Sequence, residues 1–179
     1  MATEGPLIAG TGADDATVGS LTWTAPENIT ASDDTRASVI IGGGATTHYL
    51  KATNFGFAIP AGATIDGIEV RFERQKSGAS SVTDVDVMIV KGGAISVTDL
   101  SAGAAWNNEA DQLDTFGGAT ELWGETWTAT DINASNFGVV VAATSAGATA
   151  LVDSVDIKIY YTAAVAGFDP NGMQGFFGL

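Results

Sequence analysis

The segment Ile68-Glu69-Val70-Arg71-Phe72-Glu73 alternates apolar and charged side chains without a break. A period of two puts Ile68, Val70 and Phe72 on one face of a strand and Glu69, Arg71 and Glu73 on the other. A helix of the same sequence would scatter both sets around its circumference. The segment is therefore a strand with one buried and one solvated side, as an antiparallel sheet over a core requires. Pro60, Gly62 and Gly67 precede it as turn residues.

Other segments repeat the pattern. Short β-branched or alternating runs predict strands at 21–25, 39–41, 49–53, 65–75, 83–90, 94–98, 137–142 and 152–161. In 83–90 the alternation directs Val85, Val87 and Ile89 inward and Asp84, Asp86 and Met88 outward. In 152–161 it directs Val155, Ile157, Ile159 and Tyr161 inward. If 65–75 and 83–90 pair, Arg71 or Arg74 sits opposite Asp84 or Asp86. Residues 99–122 form the longest irregular stretch, and 130–133 support one helical turn at most. Many short strands with Gly, Asn, Asp and Ser between them imply an all-β antiparallel β-sandwich. A jelly roll is the preferred topology and an immunoglobulin-like sandwich the alternative.

Three regions are expected. Residues 1–20, rich in Gly, Ala and Thr, read as an extended N-terminal arm, folded back on its own domain or held by a neighbouring copy. Residues 21–162 are the sandwich. Residues 163–179 read as a C-terminal arm carrying Phe168, Met173, Phe176, Phe177 and Leu179. That arm cannot build a core, and each large apolar group left in water costs about 1.5–3 kcal/mol relative to burial. The five either pack on their own sandwich or enter a neighbouring subunit's groove or sheet edge, and the second reading makes them the candidate assembly residues.

Composition closes off several functions. The 179 residues hold 7 Lys and Arg against 21 Asp and Glu, a net charge of −14. Nucleic acid and anionic membrane surfaces are disfavoured partners, because both are bound through clustered basic residues. The chain has no cysteine, which removes thiol chemistry and Cys-ligated metals. The first residues lack the basic and apolar regions of a secretory signal.

Candidate chemistry is sparse. His48, the only histidine, has no nucleophile-elbow motif beside it. The acid pairs Asp33/Asp34, Asp84/Asp86 and Asp153/Asp156 match no calcium-loop spacing. No catalytic residue, cofactor or metal site is therefore assigned, and the chain is read as non-enzymatic. Trp106, Trp123 and Trp127 are either an aromatic platform for sugars or the closure of one end of the core.

Two stretches carry a resemblance. Residues 57–70, FAIPAGATIDGIEV, resemble the entry strand of phage-encoded jelly-roll proteins. Trp123-Gly124, Trp127, Asp131-Ile132-Asn133 and Asn136-Phe137-Gly138-Val139 resemble a second segment of that group, and 152–161 its closing strand. The likeness spans about residues 50–162. It implies a structural virion protein, of capsid-decoration or fibre type, that assembles in a host cytoplasm. Its implied partners are itself and a major capsid or other virion protein. The alternative is a glycan-binding module or receptor-binding adhesin using Trp106, Trp123 and Trp127.

Overall fold

The computed structural model describes residues 1–101, 103, 105–106 and 110–164. Among the described residues, ten strands form two antiparallel five-stranded sheets packed face to face. Sheet A holds β1 (Ala2–Ile8), β3 (Ala37–Gly42), β5 (Thr64–Ser77), β8 (Gln112–Gly118) and β10 (Gly147–Thr162). Its order is β1-β10-β5-β8, with β3 pairing the first half of β10 on the edge that β1 uses further along. Sheet B holds β2 (Thr11–Asp15), β4 (Tyr49–Thr53), β6 (Val82–Lys91), β7 (Ala94–Asp99) and β9 (Gly138–Ser145), in the order β2-β4-β9-β6-β7. Only β6 and β7 are consecutive strands within one sheet. Every other connection crosses between layers, so the sandwich is jelly-roll-like.

Period two explains the core. Ile68, Val70 and Phe72 of β5 and Val155, Ile157 and Ile159 of β10 are buried and meet Val139, Val141, Val87 and Ile89 of sheet B. The outer face of sheet A is polar along its central strands β5 and β10, while Ile40 of β3 and Leu113 of β8 stand exposed beside them. On the central strands Arg71 holds Asp156 through two bonds of 2.7 and 3.0 Å, Tyr160 donates to Glu69, and Ser154 donates to Glu73.

Four expectations change. Residues 1–20 are not an arm, because β1 and β2 are edge strands of the two sheets; the N-terminus folds back on its own domain. The sandwich therefore starts near Ala2 rather than at 21. Residues 21–25 form isolated bridges and then a 3₁₀ turn at Pro26–Ile29, not a strand. β5 and β6 do not pair; they lie in opposite sheets. Finally, a β-bulge between Asp84 and Asp86 resets the alternation of β6. Val87 and Ile89 point inward as expected, but Asp84 also turns inward and Val85 packs on the outside.

The inward Asp84 meets Arg74, the last inward side chain of β5, and both are about as buried as the core. Arg74 Nη2 donates to Asp84 Oδ2 at 2.9 Å, and its Nε donates to Asp114 Oδ2 at 2.7 Å. Its guanidinium lies 4.5 Å from the centre of the Trp106 ring, whose Nε1 donates to Asp84 Oδ1. The Arg–Asp partnership read from the sequence is present, but it bridges the layers instead of running along a ladder.

Candidate binding face

The outer face of sheet B departs from the polar-out rule. Cross-strand register places Tyr49, Ala142 and Asp86 in one row, then Lys51, Val140 and Met88 in the next, with Val90 and Ile95 beyond. Val90, Val140 and Ala142 are fully buried on this side, beneath Tyr49 and a partly exposed layer of Val18, Val85, Met88 and Ile95. Val97, on the edge strand β7, is 94% exposed. An antiparallel sheet with a free side normally turns charged residues outward, as the central strands of sheet A do. Of this second apolar cluster, Val18, Val85, Met88 and Ile95 are the members that reach the surface and can be touched by a partner.

Polar groups border that cluster. The Tyr49 hydroxyl donates to Asp86 Oδ2 at 2.9 Å, and Lys51 Nζ donates to Asp15 Oδ2 at 3.1 Å. Burial and then the bond to Asp86 push the Tyr49 phenol well above its ordinary range. It stays a neutral donor at any physiological pH. Burial tends to raise the Asp15 carboxyl, but hydrogen bonds from Thr17 and Lys51 outweigh it and hold the group below its usual value. The face thus offers fixed donors and acceptors between apolar patches. Tyr49 was read only as a strand residue, because no local motif distinguishes an outward tyrosine from an inward one.

The sequence-derived candidates lie elsewhere. Trp106 is 1% exposed against Arg74, and Trp123 is 0% exposed, its Nε1 donating to the Ile68 carbonyl. Their anchors, Ile68 and Arg74, are six residues apart on β5, roughly 20 Å at strand rise. Trp127 packs edge-on against Phe137 and beneath Lys91, its Nε1 donating to the Leu122 carbonyl. The three rings do not converge on a platform; they close the core at separate points. Trp106 and Trp123 are closed to a stacking sugar by burial, whereas Trp127 is only partly buried, so the three do not form one glycan platform. Phe168, Met173, Phe176, Phe177 and Leu179 lie outside the described residues.

His48 contacts Asp14 through Nδ1 at 2.8 Å, while Asp14 Oδ1 accepts the Trp23 amide. Among the described residues no hydroxyl is bonded to this histidine, so the pair ties β2 to the start of β4. Asp84 belongs to the Arg74 clamp, Asp86 to Tyr49 and Asp156 to Arg71. Asp34 and Asp153, taken from different pairs in the sequence, come together with Asp111 in space. Asp111 carried no sequence signal.

No protein-family model and no curated protein matches the chain. Among solved structures, the second N-terminal cellulose-binding domain of Cellulomonas fimi β-1,4-glucanase C is similar at a TM-score of 0.43 and 16% identity. That match covers 88% of this chain and 94% of that one. BiXyn10A CBM1 in its apo form gives 0.41 and 12%, covering 83% and 96%. TmCBM61 bound to β-1,4-galactotriose gives 0.38 and 10%, covering 82% and 86%.

Proposed function

We propose that this chain is a non-catalytic attachment module and that the outer face of sheet B holds a neutral polysaccharide. The observation that carries the reading is the contrast between the two outer faces. The central strands of sheet A carry paired charges, with Ile40 and Leu113 exposed on the flanking strands β3 and β8, whereas sheet B carries a clustered apolar layer with Tyr49, Asp86, Lys51 and Asp15 set between its members. A sugar ring has apolar C–H faces and a rim of hydroxyls, so apolar contact alternating with fixed donors and acceptors matches it. The net charge of −14 favours uncharged chains over uronic-acid or sulfated ones. Native gel electrophoresis through soluble neutral glucans, mannans and galactans tests this. Retardation by one of them, weakened at least about 10-fold in Asp86→Asn and in Lys51→Met variants, is expected. Such a loss corresponds to about 1.4 kcal/mol. Migration unaffected by every neutral glycan would overturn the reading.

A second reading, a structural part of a multi-copy particle, is favoured by Val97 standing exposed on the free edge of sheet B. An exposed apolar edge residue is what a neighbouring chain would cover. Here the partners are further copies and a capsid-type protein, as the resemblance over residues 50–162 implies, and the setting is a virion. Sedimentation of the purified chain separates the two: a monomer retarded by glycan favours the first, and a stable oligomer indifferent to glycans favours the second.

A further inference from the structure

The long strand β10 changes partners part-way along one edge, from β3 to β1, and a β-bulge between Val152 and Ser154 lies at that junction. Asp153 is the extra residue. The bulge turns its side chain into the structure beside the Thr30–Ser154 bridge, where it is 1% exposed. Among the described residues, one of its carboxylate oxygens, Oδ1, has no hydrogen-bond partner. Asp34, which lies beside it, adopts a left-handed φ of 68°. One oxygen from each of Asp34, Asp111 and Asp153 lies within 4.8 Å of the others.

A guanidinium serves only part of this cluster. Arg36 donates to both oxygens of Asp111 and to Asp34 Oδ1, the last at 2.6 Å. No bond from Arg36 reaches Asp153 among the described residues. Three carboxylates against one guanidinium leave two negative charges uncompensated. Burial pushes the Asp153 carboxyl up, and the nearby Glu73 and Asp111 charges add to the effect. A buried carboxylate with an unused oxygen is destabilising unless something positive meets it.

We propose that Asp34, Asp111 and Asp153 bind a single Ca²⁺, which fastens the 30–36 loop to the bulge of β10. The donor set is oxygen only, with no imidazole or thiolate near it, which selects a hard cation over zinc or copper. Ca²⁺ takes six to eight oxygens in adaptable geometry, whereas Mg²⁺ demands a near-ideal octahedron. Three carboxylates from a loop, a bulge and the lead-in to β8 supply an irregular half-shell, with carbonyls and water left to complete it. Asp33 takes no part, because its Oδ1 accepts the Thr35 amide. The site is independent of the sheet B face, which lies in the other layer.

The test uses the full chain stripped with EDTA, then titrated with CaCl₂ by calorimetry and by thermal melting. The expected result is one Ca²⁺ per chain and a melting temperature that climbs with Ca²⁺ and not with matched KCl. Asp153→Asn should abolish the response while melting in EDTA no lower than wild type, since it removes an uncompensated buried charge. Asp111→Asn, at the rim, should weaken Kd at least about 10-fold and covers the case in which the first variant does not fold. No heat and no melting shift at about 10 mM Ca²⁺, above the weakest affinities of such sites, would overturn the proposal. A Ca²⁺ response that survives in both variants would overturn it equally.

Discussion

Removing the Arg74 guanidinium would strand the buried Asp84 carboxylate and unpair the partly exposed Asp114, with the Trp106 ring losing the cation on its face. The three groups come from β5, β6 and β8, so both layers lose a common tie. Breaking a buried ion pair from one side costs about 3–5 kcal/mol, chiefly because the partner charge is stranded. Arg74→Met should therefore lower the unfolding free energy, read from urea titration at pH 7, by that much, and adding Asp84→Leu should recover part of it. If the single variant lost less than about 1 kcal/mol, the clamp would be dispensable. Composition and alternation foretold the Arg–Asp pairing without its geometry. Alternation tells which side of a strand a residue takes, and says nothing of which strand stands opposite.

The elements that were legible share a regular period and an ordinary burial. β4 coincides with its expected bounds, and β5 and β10 direct every expected apolar residue inward. β8 escaped because its polarity is inverted: Asp114 and Phe116 share the inner face while Leu113 is half-exposed. The acid on that face is accepted only because Arg74 waits across the strand pair. Bulges in β6 and β10 were invisible for a related reason, since one inserted residue shifts the period without changing composition. Both carry acids to unexpected places, Asp84 into the clamp and Asp153 to the junction of β3 and β1. The short helix α1 (Ala129–Asn133) is the opposite case, marked by a capping box in which Thr128 and Asp131 bond each other's backbone amides. The Thr128 hydroxyl lowers the Asp131 carboxyl, burial opposes this, and the Thr128 amide and Lys91 reinforce it. A depressed folded pKa stabilises above the unfolded value of about 3.9 and is lost as pH falls through the folded value. Asp131→Asn should then cost about 1 kcal/mol at pH 7 and progressively less toward pH 2, measured by urea unfolding across that range. A cost that did not change with pH would place the effect in packing rather than in the charge.

At the scale of the molecule, 21 acids against 7 bases make copies repel, so any assembly must supply apolar contact that outweighs the charge. The described residues offer the layer on sheet B, the edge at Val97, and Ile40 and Leu113 on sheet A. Residues 163–179 offer five large apolar side chains in a segment without a core of its own. Folding back of β1 and β2 leaves this C-terminal segment as the remaining candidate for an arm. If it joins copies, screening the repulsion should strengthen the union: at about 0.5 M NaCl the Debye length falls below 5 Å, so like charges on separate subunits scarcely interact. Deleting residues 167–179 should leave the melting temperature within a few degrees of the full chain, because the sandwich ends with β10 at Thr162. The deletion should also abolish assembly at every salt concentration. Sedimentation velocity on both chains at about 50 mM and 0.5 M NaCl reads this directly. A truncated chain that still assembled, and did so more readily in salt, would assign the contact to the sandwich and release the tail from the role.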